Sequence, residues 1–87
     1  MTWRVELETR AVQEFRKLPK EAQGALADVL DDLEREPRPP GARKLINQEG
    51  YRIRKGKYRI LYVIDDKSSL IRVYRIGHRR DVYRHLR

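Results

Sequence analysis

The 87-residue sequence contains no cysteine and only one methionine, one tryptophan and one phenylalanine. The lack of cysteine excludes disulfides, thiolate catalysis and cysteine-ligated zinc. No apolar run approaches the ~20 residues that a membrane-spanning helix needs, and the charged N-terminal segment lacks the apolar core of a signal peptide. We therefore expect a cytoplasmic protein with no membrane partner.

Motifs for cofactor binding are absent as well. The sequence has no glycine-rich phosphate-binding loop, no dinucleotide-binding fingerprint and no zinc motif with paired histidines. Its two histidines cannot form a metal site without carboxylates. The sequence therefore predicts neither a metal nor any other cofactor.

Positive charge, in contrast, is abundant and segregated. The formal net charge is +8. Residues 1–50 contain nine Lys or Arg and ten Asp or Glu, a net charge of −1, whereas residues 51–87 contain twelve and three, a net charge of +9. A basic half of this kind is expected of a domain that binds a phosphate backbone or an acidic partner. The alternative is a general contribution to solubility.

The first half of the chain predicts one strand followed by two helices. Trp3, Val5 and Leu7 alternate with charged residues, which is the pattern of a half-buried strand. Thr9 is expected to cap a short helix that ends at Pro19. An amphipathic stripe then predicts a second helix of about four turns. Its apolar positions within residues 20–36 are Ala22, Leu26, Val29, Leu30 and Leu33.

The second half predicts three strands joined by tight turns. The expected strands are residues 51–54, 57–64 and 70–76. The first turn is expected at Lys55-Gly56, where glycine allows a positive φ, and the second at residues 65–68. Gly77 is expected to break the last strand.

The order β-α-α-β-β-β predicts a single α+β domain over residues 1–87. Its antiparallel sheet is covered on one face by a two-helix hairpin. Residues 42–50 are expected to form a connection, and the polar tail from residue 78 to 87 a short C-terminal helix.

Strand alternation predicts that the first hairpin has one cationic and one apolar face. We expect Arg52 opposite Arg59 across this hairpin. The cationic face then contains Arg52, Arg54, Lys57 and Arg59, and the apolar face Tyr51, Ile53, Tyr58 and Ile60. A similar second loop is expected to pair Arg59 with Tyr74 and Leu61 with Arg72.

Two segments resemble the RelE/ParE toxin superfamily, and its RelE branch in particular. They are GYRIRKGKYRILYVID (50–65) and VYRIGHRRDVYR (73–84), and Lys44-Leu45 before the hairpin agrees with the same pattern. The resemblance implies the toxin of a type II toxin–antitoxin system. Such a RelE-like toxin is a ribosome-dependent endoribonuclease that cleaves mRNA in the A site and is held inactive by a cognate acidic antitoxin. Its expected partners are therefore the antitoxin, mRNA and the ribosome with its 16S rRNA.

The resemblance also implies which residues form the site. The matching catalytic positions are Arg52, Arg54, Arg59, Arg79 and Tyr83. The chemistry of the side chain, not the resemblance, makes His78 a further catalytic candidate. The expected RNA- and ribosome-binding residues are Lys44, Lys55, Lys57, Arg72, Arg80 and Arg84. The chain departs from well-studied RelE proteins at positions 52 and 54, where it has arginine in place of lysine.

The expected reaction is attack of a ribose 2′-OH on the adjacent phosphate, which leaves a 2′,3′-cyclic phosphate and a 5′-OH. It needs a base, an acid and positive charge near the developing phosphorane. Arginine cannot deprotonate in a protein, so Arg52 and Arg54 are limited to electrostatics and positioning. The base is then Tyr83, whose phenolate nearby arginines favour, or His78.

Two other functions remain compatible with the sequence. One is a ParE-like toxin that inhibits DNA gyrase by binding and needs no catalytic residues. The other is an RNA- or ribosome-binding relic that has lost activity, because positive charge without a base gives binding alone.

Overall fold

The structure is a computed structural model that describes residues 2–78. These residues form two helices and one five-stranded sheet. The elements are β1 (Arg4–Leu7), α1 (Thr9–Arg16), α2 (Lys20–Arg35), β2 (Arg43–Lys44), β3 (Tyr51–Lys55), β4 (Tyr58–Asp65) and β5 (Leu70–His78). The predicted α+β architecture is confirmed. The predicted C-terminal helix, and with it Arg79, Arg80, Tyr83 and Arg84, lies outside the described residues.

The sheet has the strand order β1-β5-β4-β3-β2. Strands β3, β4 and β5 form the predicted antiparallel meander, and β1 joins the edge of β5 in parallel, so the sheet is mixed. The short strand β2, which pairs antiparallel with β3, lies in the segment expected to be a connection. Two residues are too few for an alternating pattern to appear in the sequence.

The two helices begin and end close to their predicted positions. Thr9 is the first residue of α1 rather than its cap; the N-cap is Glu8, which makes no side-chain capping hydrogen bond. The link to α2 is stabilised by Gln23, whose Nε2 donates to the carbonyl oxygens of Phe15 and Leu18 at 3.1 and 3.0 Å. A side chain of α2 thus donates to carbonyls at and just after the end of α1, where donors from a following helical turn are lacking. Within residues 2–78, no helix is both long and apolar enough to cross a membrane.

The core lies between the helices and one face of the sheet. The predicted apolar stripe of α2 is confirmed, since Ala22, Leu26, Val29 and Leu33 are buried. The sheet contributes Ile53, Ile60, Tyr62, Ile71, Val73 and Ile76 to the same layer. Tyr62 is fully buried, and its hydroxyl donates to the carbonyl of Pro37 at 2.8 Å. This bond ties the segment after α2 to the middle of the sheet.

The register of the β3–β4 hairpin differs by two residues from the prediction. Arg59 lies opposite Arg54, not opposite Arg52, and Arg52 lies opposite Leu61. The loop consists of Gly56 and Lys57, one position later than expected, with Gly56 at φ +61°. Moving the centre of a hairpin loop by one residue shifts every pair by two, and each paired residue therefore keeps its predicted face. Lys57, predicted on the cationic face, lies in the loop instead.

The β4–β5 pairing also differs from the prediction. Arg59 lies opposite Gly77 rather than Tyr74, and Leu61 opposite Arg75 rather than Arg72. An irregularity next to Leu61 leaves Tyr74 as an extra residue on β5, which is the signature of a β-bulge. Strand β5 also continues through Gly77, which was expected to break it, because β4 supplies a partner along this whole length.

Gly50 is a position where the fold requires glycine, so Gly50→Ala should destabilise it. Its φ is +113°, and an added Cβ would lie 2.6 Å from the carbonyl oxygen of Tyr62. We expect a loss of about 1–3 kcal/mol in the free energy of unfolding, measured by thermal and urea unfolding.

The matched control is Gly24→Ala. Gly24 is exposed within α2, and an added Cβ has no atom within 4 Å. This change should stabilise the protein by about 0.5–1 kcal/mol, because alanine is the better helix former. Equal effects of the two substitutions would contradict the close approach at Gly50.

Candidate nucleic-acid interface

Four arginines of β2, β3 and β4 lie together on the sheet face that points away from the helices. Register pairs Arg43 with Arg52 and Arg54 with Arg59. Directly paired residues share a face, and so do residues two apart on one strand, so all four lie on the same side. We call Arg43, Arg52, Arg54 and Arg59 the arginine cluster. The predicted cationic face is thereby confirmed for the three arginines named from the sequence.

Exposure decreases across the arginine cluster from the sheet edge to its centre. Arg43 and Arg54 are exposed, Arg52 is half-buried, and Arg59 on the central strand β4 is 8% exposed. Leu61, the next residue on this face of β4, is fully buried. Charge interactions are stronger where water is excluded, so an anion that reaches Arg59 interacts more strongly with it than with the outer arginines.

Arg43 was not among the site residues predicted from the sequence. Its strand β2 has only two residues, which are too few to show the alternation of polar and apolar residues that predicts a strand. It lines a groove of about 310 Å³ together with Gly41, Arg52 and Arg54. We call this space the cluster groove. The one sequence feature that pointed to Arg43 was the pair of basic residues Arg43 and Lys44 before the hairpin. This feature does not show on which face of the sheet either side chain lies.

The segment that leads into β2 is anchored by a polar and aromatic network. The Arg38 Nε donates to the Tyr51 hydroxyl at 3.0 Å, and its Nη2 lies 3.3 Å from Asp66 Oδ2. These two partners raise the pKa of Arg38, with the hydrogen bond to Tyr51 contributing most. The Tyr51 ring stacks on the Tyr62 ring at 5.9 Å. The network therefore fixes where the chain crosses from the helical layer to the sheet edge.

His78 lies on the opposite face from the arginine cluster. It is the last residue of β5 and is paired with Tyr58, a residue of the apolar face. The two rings contact edge to face, with their centroids 6.3 Å apart. Within the described residues, the structure therefore does not bring His78 together with Arg59.

The predicted binding residues are dispersed. Lys44 and Lys55 are paired with Tyr51 and Tyr58, and so belong to the opposite face from the arginine cluster, although both are exposed. Lys57 lies in the hairpin loop. Arg72 is paired with Val63 and lines a separate groove of about 480 Å³, whose other charged residues are Glu49, Asp65, Asp66 and Lys67.

A buried ion pair next to the site was not predicted. Arg75, 3% exposed, donates from Nε to Glu14 Oε2 at 3.0 Å, and the backbone N–H of Ile76 donates to Glu14 Oε1 at 2.9 Å. Glu14 thus attaches α1 to the final part of β5, which has no partner from β1 at this point. This contact positions the strand end from which the basic tail continues.

Comparison with known proteins agrees with this fold. Residues 5–83 match the family model of the ParE toxin of type II toxin–antitoxin systems. The chain belongs to the RelE/ParE superfamily. Toxin RelG of Mycobacterium tuberculosis is 35% identical to this toxin, over 97% of this chain and 99% of RelG.

Solved structures of RelE toxins have the same fold. The toxin–antitoxin complex RelBE2 of M. tuberculosis matches with a TM-score of 0.82 and 30% identity, over 91% of this chain and 93% of the matched chain. The RelE–RelB complex of Pyrococcus horikoshii matches with a TM-score of 0.77 and 28% identity, over 91% and 97%. The isolated RelE toxin of E. coli gives 0.78 and 26%, over 94% and 92%. The chain is thus a type II toxin with a RelE-like structure.

Alkaline pH should destabilise the toxin through Tyr62. Burial raises the pKa of Tyr62 to about 12, and Tyr51 adds to the rise. A raised pKa means that the contribution of Tyr62 is complete below the unfolded value near 10 and is lost as pH rises through about 12. We expect this loss to be about 2 kcal/mol of unfolding free energy, measured by urea unfolding from pH 8 to 12.

Tyr62→Phe should remove this part of the alkaline decline. It should also lower stability at pH 8 by about 1–3 kcal/mol, because the buried Pro37 carbonyl loses its donor. Tyr58→Phe, which removes the hydroxyl of a half-buried tyrosine on the same face, should retain the decline. An alkaline decline that is identical in Tyr62→Phe and the unmodified toxin would contradict the assignment.

Proposed function

We propose that this toxin is a ribosome-dependent endoribonuclease that cleaves mRNA in the A site and so inhibits translation. The observation that carries the proposal is the arginine cluster, which places four arginines on one sheet face with the buried Arg59 at its inner end. Guanidinium groups bind phosphate through paired N–H donors. The relatives with RelE-like structures support the same class of activity.

The proposed chemistry uses Arg54 and Arg59 for charge stabilisation. The ribose 2′-oxygen attacks the adjacent phosphorus as it loses its proton, and the bond to the 5′-oxygen breaks as that oxygen gains a proton. The products are a 2′,3′-cyclic phosphate and a 5′-OH. Arg54 and Arg59 lie opposite each other, so their N–H groups can donate to the non-bridging oxygens, where negative charge increases in the transition state. Arg52 and the predicted Arg79 extend this positive field.

Proton transfer requires a group other than arginine. We assign the base to Tyr83, because His78 is paired on the face away from the arginine cluster. Positive charge close to a phenol favours its ionised form and lowers its pKa, as a base at neutral pH requires. Tyr83 lies outside the described residues, and its role is a proposal from the family pattern.

Arg59→Ala should lower mRNA cleavage by about 10²–10³-fold, because it removes a donor to the transition state. The measurement is primer extension on mRNA translated in a reconstituted system with purified toxin. Arg16→Ala is the matched control, since it removes the same charge from an exposed position on α1 and should keep full activity. An Arg59→Ala/Arg79→Ala toxin that cleaves and arrests translation as well as the unmodified toxin would refute the proposal.

The two base candidates are separated by Tyr83→Phe and His78→Ala. We expect Tyr83→Phe to lower the cleavage rate by at least about 10²-fold, with RNA binding retained, and His78→Ala to change it by less than 5-fold. The product ends should be a cyclic phosphate and a 5′-OH. The cyclic phosphate is detected because it blocks ligation at the 3′ end, and the 5′-OH because a kinase can phosphorylate it. The reverse order of the two variants would assign the base to His78.

Inhibition of DNA gyrase is the second candidate, because the matching family model is that of ParE toxins. A gyrase inhibitor acts by binding, and its effect does not require a base. Purified toxin should leave gyrase supercoiling unchanged if the ribonuclease proposal holds. Inhibited supercoiling together with intact ribosome-bound mRNA would favour the gyrase function. If the toxin neither inhibits supercoiling nor cleaves mRNA, the result would favour a relic that only binds RNA or the ribosome.

The proposed protein partner is a cognate acidic antitoxin. Relatives of this fold form complexes with antitoxins, and the half of this chain with net charge +9 suits an acidic partner. We further propose that the toxin acts in the cytoplasm, where ribosomes and mRNA are found.

A further inference from the structure

Two arginines of the cluster have no intramolecular counterion in the described structure. Within residues 2–78, the ion pairs of arginine are Arg4–Glu6, Arg10–Glu14, Arg35–Asp32, Arg38–Asp66 and Arg75–Glu14. No carboxylate of these residues forms an ion pair with Arg43 or Arg52. Both therefore hold positive charge available to an external anion, and both line the cluster groove.

The cluster groove lies on the outer side of Arg54, away from Arg59, since Arg54 lines it and Arg59 does not. Arg43 is on β2, Arg52 and Arg54 are on β3, and Arg59 is on β4, so the cluster crosses three adjacent strands. Neighbouring strands are about 4.8 Å apart, and Arg52 and Arg54 are about 6.7 Å apart along β3. Arg54 can thus contact one anion beside Arg59 and lies within reach of a second beside Arg43.

The walls of the cluster groove are held in place from both sides. On one side, Tyr62 and the Arg38 network anchor the segment before Gly41, and the Ala42 N–H donates to the Pro39 carbonyl at 3.0 Å. On the other side, the Leu45 N–H donates to the Gly50 carbonyl at 2.9 Å. The backbone of β2 is therefore fixed before any ligand binds, and a preformed site loses less entropy on binding.

From these observations we infer that the cluster groove binds a second backbone phosphate of the RNA, next to the phosphate that is cleaved, and that Arg43 is a binding residue of this subsite. The inference rests on the proposed RNA-cleaving function and adds a residue outside the predicted site. The favoured ligand is a phosphodiester because the groove is continuous with the face that receives the scissile phosphate. Arg43 and Arg52 hold the anion by paired N–H donors, whereas Gly41 presents no side chain that would fill the groove.

Arg43→Gln should weaken RNA binding without affecting the chemical step. The probe is a short 2′-O-methyl RNA, which cannot be cleaved because it lacks the attacking hydroxyl. We expect a 5–10-fold higher Kd, and a slope of log Kd against log salt concentration that is smaller by about 0.7, the value for one lost contact to single-stranded RNA. In cleavage assays, KM should rise by a similar factor, while kcat stays within twofold.

The matched control is Arg16→Gln, which removes the same charge from the helical side and should change Kd by less than twofold. Arg43→Lys keeps the charge but loses the paired donors, so its Kd should be intermediate. Circular dichroism and thermal unfolding of each variant verify the fold, which the exposed position of Arg43 on a two-residue edge strand should preserve.

Phosphate replacement identifies the contact itself. A series of 2′-O-methyl RNAs, each with one neutral methylphosphonate, should contain one position at which the unmodified toxin and Arg43→Gln bind equally. That position should be adjacent to the mapped cleavage site. If the difference between the two proteins persists at every position, no single phosphate contacts Arg43 and the inference is wrong.

The outcomes also separate this inference from the proposed function. A toxin that binds the RNA probe with the expected dependence on Arg43 but cleaves no mRNA would retain the subsite and refute the ribonuclease. A fall in kcat comparable to that of Arg59→Ala would make Arg43 part of the catalytic site and refute a separate subsite. If Arg43→Gln weakens binding of the antitoxin but leaves RNA binding unchanged, the groove is a protein-docking surface and the inference is overturned.

Discussion

The hydrogen bond from the buried Tyr62 hydroxyl to the Pro37 carbonyl is the contact on which the candidate site depends. Tyr62 belongs to the core between helices and sheet, whereas Pro37 begins the segment that crosses to the sheet edge. The Tyr62 ring also stacks on Tyr51, which receives a hydrogen bond from Arg38. Since this segment ends in β2, the same contact determines where Arg43 lies relative to Arg52. A core residue on one face thus positions the charges on the other.

The two faces of the sheet have different physical tasks. Burial of apolar side chains against α1 and α2 stabilises the fold, which allows the other face to hold charges that oppose stability. Arg54 lies directly opposite Arg59, and like charges at paired positions of a sheet are unfavourable. Placements of residues that lower local stability, such as these two paired arginines, are expected at functional sites. The toxin therefore retains a cationic surface that its folding alone would not select.

The composition of the arginine cluster also limits what it can do. Guanidinium groups stay protonated, so the cluster can bind and stabilise negative charge but cannot accept a proton from a ribose hydroxyl. His78 could accept one, but its ladder position places it beside Tyr58 on the other face. Glu14 holds the end of β5 through Arg75 and Ile76, and so positions the start of the basic tail. The proposed function therefore assigns binding to the sheet and proton transfer to a residue of the tail.

The sequence by itself determined the two helices, the four longer strands, the helical stripe and the face of each paired hairpin residue, because periods of 3.6 and two are local properties. The predicted face of the paired residues was correct even though the predicted register of the β3–β4 hairpin was wrong, because the loop at Gly56 and Lys57 shifted the pairs by two residues. Only the tertiary structure decided which arginines are opposite each other, the bulge at Tyr74, and the pairing of Arg43 with Arg52. These three features depend on contacts between residues far apart in the chain. Several arrangements have the same local pattern, and loop geometry and packing against Tyr62 select one of them.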